Sequence, residues 1–179
     1  YSFPIEETLD RAKVLNDSIY AYNPCVNVLY YEISYGVWGN SAANLVTYNE
    51  TMDLIRTNVS LLADSTEAFF APVGEAFRTS WNADLSNMLW GSAGDIHPNA
   101  KGSYIAACVF YASVFQNPSI NSSVVNGLPV AEAQSYRELA DSTVLNYLPD
   151  WRINTYNLFL DYSYTISEDT VHFSNLTLN

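Results

Sequence analysis

The sequence predicts an α/β domain built on a parallel sheet, with a β-hairpin extension at its C-terminal end. Three observations predict it. Two short runs rich in β-branched and aromatic residues, 26–34 (VNVLYYEIS) and 67–73 (EAFFAPV), flank a segment of helical periodicity, and a helix between two such strands is the unit that builds parallel sheets. A strongly apolar helix follows over 100–116. Beyond residue 150 the composition turns to that of strands. With 179 residues, the chain suits one compact domain over 1–150 and a β-rich extension over 151–179.

Taken in order, residues 4–22 read as a helix. Pro4 suits a first turn, Glu6 and Glu7 suit its positive end, and Ile5, Leu9, Ala12, Leu15 and Ile19 recur at helical spacing. Asn23-Pro24 ends it. The strand 26–34 follows, then a glycine-bearing loop over 35–46. Thr47-Tyr48-Asn49-Glu50 has the form of a capping box, opening a helix with Met52, Ile55, Val59 and Leu62 on one face. The second strand ends at Gly74, a short helix spans 75–81 and a loop spans 82–96. Asn99 is placed to cap the helix 100–116, which is apolar nearly all round and should therefore be buried. Asn117-Pro118 stops it. A loop leads to a further helix over 129–148, carrying Ala133, Tyr136, Ala140 and Val144. Residues 157–166 and 170–178 have strand composition around Ser167-Glu168-Asp169, which reads as a hairpin.

Composition excludes several classes. Net charge is -12, from 19 acidic against 7 basic residues. That argues against a nucleic-acid partner, which needs clustered Lys and Arg, and against an anionic membrane surface. No apolar run approaches the roughly 20 residues that cross a bilayer. The first residues, Tyr1-Ser2-Phe3-Pro4, lack the basic and apolar regions of a signal peptide; processing or truncation is the expectation for a chain that starts with Tyr1. Cys25 and Cys108 form neither a disulfide framework nor a metal site, and no metal or other cofactor is expected. Sequons at Asn16, Asn49, Asn58, Asn121 and Asn175 point to a glycosylated, secreted protein.

One stretch carries chemistry: Gly94-Asp95-Ile96-His97-Pro98-Asn99-Ala100-Lys101-Gly102-Ser103-Tyr104. A histidine on a turn just before a buried helix is held at the scaffold's rim. A nearby carboxylate bonding one ring nitrogen fixes the tautomer and leaves the other nitrogen to take a proton from a hydroxyl nucleophile. Taken alone, a histidine in a turn more often just packs.

The run DIHPNAKGSYIAACVFYASVF resembles the C-terminal block of the SGNH/GDSL hydrolase superfamily, where Asp-x-x-His-Pro-(Asn/Ser) precedes a helix. It is more similar to a little-characterised bacterial branch whose block continues into Gly-Ser-Tyr-Leu-Ala-Ala-Cys. Other segments resemble that branch in the same order: Phe3-Pro4-Ile5-Glu6-Glu7, Asn23-Pro24-Cys25, Tyr30-Tyr31, Trp38-Gly39, Thr47-Tyr48-Asn49-Glu50-Thr51-Met52-Asp53 and Ala71-Pro72-Val73-Gly74. The resemblance implies a flavodoxin-like three-layer α/β/α sandwich, with residues 1–150 as the C-terminal portion of the hydrolase domain. It also implies a Ser-His-Asp site that hydrolyses esters, often acyl groups on sugars, with His97 as general base. Trp38 and Gly39 follow a strand, which leaves two readings: they line a substrate pocket at the strand's C-terminal end, or Trp38 packs as an ordinary core residue, the commoner case.

The chain departs from the family's pattern twice. The family's serine block and oxyanion-hole blocks lie upstream of the matching region, and neither Ser2 nor Ser18 sits in a serine-block context. An upstream segment or a separate chain is then expected to complete the sheet and bring the nucleophile, because an exposed apolar sheet edge demands cover. The family's Asp stands three residues before the His, where this chain has Gly94; the carboxylate orienting His97 is either Asp95, through a rearranged turn, or absent. Three functions follow as expectations: an extracellular serine esterase; a catalytically degenerate relative that assembles into an oligomer or filament by strand addition through its tail; and a carbohydrate-binding module stacking sugars on Trp38, Trp81 and Trp90.

Overall fold

The computed structural model describes residues 5–155, together with the backbone of 162–167 and 170–175. Helix α1 (Ile5–Tyr22) carries Glu6 and Glu7 in its first turn, with Glu7 accepting a hydrogen bond from Arg11 one turn on. Strand β1 (Leu29–Tyr31) leads through a loop to α2 (Ala42–Thr66). Ser41, not Thr47, caps α2: its hydroxyl accepts from the Asn44 N–H, and the box-like Thr47–Glu50 segment lies inside the helix. Glu67, in the left-handed region at φ 51°, closes it. Strand β2 (Phe69–Ala71) is followed after Pro72 by α3 (Val73–Ala83), then by α4 (Ala100–Phe115), a 3₁₀ turn at Ser119–Asn121, α5 (Val130–Leu145) and a second 3₁₀ turn at Leu148–Trp151. Strands β3 (Tyr162–Ser167) and β4 (Thr170–Asn175) pair antiparallel, with Tyr162 opposite Asn175.

The expected flavodoxin-like three-layer sandwich with its hairpin extension is corrected by this architecture. The described residues are mostly helical, and the parallel sheet has two strands, β1 and β2, of three residues each. Leu29, Tyr30 and Tyr31 pair with Phe69, Phe70 and Ala71. The apolar runs 26–34 and 67–73 are longer than the ladder they form because a strand extends only as far as it has a partner. Pro72, which has no N–H to give a ladder, ends β2 and starts α3. Glu32, at the upper end of β1, donates its N–H to Ala71 O and accepts from Gly74 N through its own carbonyl, so the chain leaves the sheet into a β-to-helix turn.

The two strands have unlike surroundings. All three residues of β2 are buried, and β2 touches α2, α4 and the Leu148–Trp151 turn. β1 is half-exposed, with Tyr31 open to solvent, and among the described residues its outer edge pairs with no strand. Helix α4 shares that openness. Tyr104, Ile105, Cys108, Val109 and Ala112 are buried, whereas Tyr111, Val114 and Phe115 are exposed. The expectation of a fully buried α4 fails on that face.

The core is dominated by aromatic residues. Trp90 meets Tyr48, Phe77 and Trp81 edge-on at centroid distances of 5.8, 5.5 and 5.6 Å, a favoured arrangement of ring quadrupoles. Trp81 and Trp90 are thus buried core residues and offer no stacking platform to a sugar. Cys25 is exposed and Cys108 buried, both as free thiols. None of the helices is long and apolar enough to cross a membrane, among the described residues.

Candidate active site

The turn bearing His97 is built from both ends. Trp90 and Pro98 form an isolated antiparallel bridge, Gly91 N donates to His97 O at 3.0 Å, and Asn99 N donates to Leu89 O at 2.9 Å. Asn99 then does double duty. Its Oδ1 accepts from Lys101 N and Gly102 N, capping α4, and its Nδ2 donates to the carbonyls of Met88 and Trp90. One side chain thereby ties the helix to the strand-like segment in front of it.

The loop after β1 closes on the same turn. Gly94 N donates to Val37 O at 2.7 Å. A Cβ on Gly36 would lie 2.4 Å from Asp95 O, and one on Gly94, which sits at φ +76°, would lie 2.7 Å from the Trp38 ring. Residue 94 is therefore held in a conformation that favours glycine, beneath an indole that a side chain would have to displace. An aspartate three residues before His97 would have to take this φ and push the Trp38 ring aside.

The carboxylate comes instead from Asp95. Its Oδ1 accepts the His97 backbone N–H at 2.9 Å and lies 2.6 Å from His97 Nδ1. The backbone N–H first, and the imidazole second, hold the Asp95 carboxyl below the usual carboxylate range. An ionised Asp95 makes Nδ1 the protonated nitrogen and leaves the Nε2 lone pair available. The imidazole is 82% exposed and borders a cleft of about 190 Å³, with Tyr31, Ile33, Ser34, Phe77 and Ile96 around it. That cleft lies at the C-terminal end of β1, the end at which α/β units bind ligands.

Of the residues expected from sequence, the structure brings Asp95 and His97 into contact and lays Trp38, 66% exposed, over the turn that carries them. Gly39 follows at φ +131°. Ser34 is a hydroxyl in the same cleft, but it is buried and its Oγ is engaged with Tyr35 O at 3.1 Å and Tyr48 Oη at 3.2 Å. No hydroxyl bonds His97 among the described residues. Nor do the described residues contain a cluster of His, Cys, Asp and Glu that could hold a metal ion.

The sequons divide by accessibility. Asn58 and Asn121 are exposed. Asn16 is buried, its amide donating to Thr66 O, and Asn49 is tied to Arg78 Nε and Asn82. Asn175 ends β4, its side chain outside the described residues, as is that of His172.

Sequence reasoning missed Glu32. It is fully buried at the end of β1, where its Oε2 accepts the Glu75 N–H at 3.1 Å in the first turn of α3 and its Oε1 lies 3.5 Å from Arg56 Nη1. Burial raises its carboxyl to about 7, against the pull of Arg56 and of the Glu75 N–H. An acid inside an apolar strand run was the available signal. A cavity of about 620 Å³ lies beside this group between Arg56, Arg78, Glu75 and Trp151, away from His97. Its charges are already matched, with Arg78 on Asp53 at 2.7 Å and Arg56 stacked 3.8 Å from the Trp151 ring centroid.

No protein-family model and no curated protein matches the chain. Among solved structures, a DUF4886 family protein from Bacteroides uniformis ATCC 8492 has a similar fold, with a TM-score of 0.56 at 15% sequence identity. The alignment covers 79% of this chain and 58% of that protein, so the chain spans little more than half the length of the structure it resembles. At that identity the likeness concerns the fold alone.

Proposed function

We propose that the chain is the C-terminal portion of an extracellular serine ester hydrolase of SGNH/GDSL type, in which Asp95 and His97 form the acid–base pair. The observation that carries this reading is the 2.6 Å contact between Asp95 Oδ1 and His97 Nδ1, on an imidazole that borders an open cleft. A serine hydroxyl placed beside Nε2 gives up its proton as Oγ attacks the ester carbonyl. The imidazolium, stabilised by Asp95, then protonates the departing alkoxide, and water takes the place of serine in the second half-reaction. The serine comes from a segment or chain that pairs with the open edge of β1, which ends at this cleft. Trp38 and Gly39 border the substrate, and a glycan ester is the substrate class that fits the family resemblance. Exposed Asn58 and Asn121 suit a glycosylated, secreted protein.

Labelling of the native protein with a fluorophosphonate tests the proposal. A serine adduct is expected, with labelling slowed roughly a hundred-fold or more in Asp95→Ala and in His97→Ala, as removal of triad members does elsewhere. Absence of labelling in native material that contains the serine-bearing segment would overturn it.

A second reading has one observation in its favour: Ser34, the serine in the cleft, is held by Tyr35 and Tyr48 rather than by His97. In that reading the protein is a degenerate hydrolase relative that assembles by strand addition. Deleting residues 157–179 should then lower the assembled mass measured by sedimentation, and no serine should label.

A further inference from the structure

We propose that Asn126–Gly127 is a self-modification site, at which the folded chain converts Asn126 through a succinimide into aspartate and isoaspartate. The inference is independent of the ester-hydrolase reading. The pair lies in the loop between the Ser119–Asn121 turn and α5, and it is the single Asn-Gly step in the sequence.

The loop reverses at this pair. Leu128 N donates to Val125 O at 2.9 Å, and Asn126 and Gly127 stand between them at φ 48° and 77°, both left-handed as in the type I′ turns that favour Asn-Gly. Both residues are exposed. Among the described residues neither makes a hydrogen bond, and a Cβ added to Gly127 would meet nothing within 4 Å. The carboxamide and the Gly127 N–H are thus both open to reaction. The swing of the Asn126 backbone that joins them costs the one Leu128 bond, and glycine puts no side chain in the path.

The chemistry needs only water and hydroxide. Gly127 N gives its proton to hydroxide and bonds to Asn126 Cγ; the Cγ–Nδ2 bond breaks and ammonia leaves. Water then opens the cyclic imide. Cleavage at Cγ leaves aspartate, and cleavage at the main-chain carbonyl of residue 126 leaves isoaspartate, with the backbone rerouted through Cβ. Other asparagines are shielded. Asn23 and Asn117 precede prolines, which have no N–H. The amides after Asn87, Asn121, Asn146 and Asn154 donate to Ser86 O, Ser119 O, Val144 O and Arg152 O, and those after Asn49 and Asn58 lie inside α2.

The turn adjoins a buried charge. Val124 O accepts from Tyr104 Oη at 2.7 Å and from Arg137 Nη1 at 3.1 Å, and Arg137 is 5% exposed. Isoaspartate adds a methylene to the main chain inside the ring that the Leu128 bond closes. That bond should be lost, and the Val124 carbonyl with it should lose its fixed place. Each product also adds a negative charge to a chain already at -12.

Incubation of the native protein in heavy-oxygen water at mildly alkaline pH, followed by peptide mass spectrometry, tests the inference. A heavy oxygen should enter at residue 126 at least ten-fold faster than at any other described asparagine. The rate should lie within ten-fold of that in a synthetic peptide of residues 122–130. Gly127→Ala should slow it ten-fold or more, with circular dichroism checking the fold. Anion exchange should resolve the products by their added charge, and enzymatic methylation should identify isoaspartate among them. In that isoform the Leu128 amide should exchange with deuterium at least ten-fold faster than in the unconverted protein. Conversion more than ten-fold slower than in the peptide, faster conversion at another asparagine, or unchanged Leu128 exchange would overturn the inference.

Discussion

Replacing Asn99 by alanine should be among the most damaging single changes outside the aromatic core. The side chain makes four hydrogen bonds, two accepted from the first turn of α4 and two donated to the Met88 and Trp90 carbonyls. Loss of the N-cap costs about 1 kcal/mol. The two donated bonds add roughly 0.5–1.5 kcal/mol each, toward the upper end where the abandoned carbonyl stays buried. The expected loss is then about 2–4 kcal/mol. Asn99→Asp keeps the cap but sets an acceptor-only carboxylate oxygen against the Met88 and Trp90 carbonyls, 2.8 and 3.1 Å from the amide it replaces, so it should also destabilise the protein. Urea denaturation followed by tryptophan emission, with the slope m unchanged so that the midpoint reports stability, is the measurement. A loss under about 0.5 kcal/mol in Asn99→Ala would refute the claim that this residue joins the His97 turn to α4.

Gly94→Ala should cost about 1–2 kcal/mol, from the positive φ and the collision with the Trp38 ring. Much of the steric part should vanish in a Trp38→Ala background, and equal costs in both backgrounds would contradict the clash. Glu32 should make stability fall as pH rises. Its carboxyl is raised by burial to about 7 in the folded chain, so the contribution is full below the unfolded value and is lost through the window from roughly 4.5 to 7, by up to about 3 kcal/mol. Glu32→Gln should remove that slope, and parallel wild-type and variant stability curves would show that Glu32 does not titrate in this window. If the protein is expressed through a secretory pathway, glycopeptide mass spectrometry should find occupancy at Asn58 and Asn121 in preference to buried Asn16.

Much of the helical layout was legible, because helix signals are local. The Asn99 cap and the start of α4 follow from Asn-Ala-Lys-Gly and the apolar run behind it, and α1 and α5 follow from their periodicity. The start of α2 was misplaced because Ser41 and Thr47 both offer a hydroxyl three residues from a suitable partner, and only the folded chain shows which N–H takes it. Sheet content was overestimated for the opposite reason. The runs 26–34 and 67–73 have strand composition over their length, but strand length is decided by partners distant in sequence, and β1 and β2 share only three paired positions. At the candidate site, His97 and Asp95 were readable as residue types. Their contact was not, since it depends on Gly94 adopting φ +76° beneath a tryptophan more than fifty residues earlier in the chain. Glu32 and Arg137 each sat in plain view as a charge on an apolar stripe, between Tyr31 and Ile33 and between Ala133 and Ala140. A pattern search that rewards hydrophobic periodicity passes over such exceptions.

Trp90 sets how the acid–base turn can fail. Its indole is gripped by three other rings, while its backbone bridges Pro98 and receives the Asn99 amide. The turn is thus tied to the aromatic cluster of the core, even though the imidazole itself stands in water. Local fraying cannot release it, so the Gly91 and Asn99 amides should exchange with deuterium only when the whole domain opens. Warming or mild denaturant should therefore leave the histidine's geometry intact up to the melting transition and then abolish it in a single step.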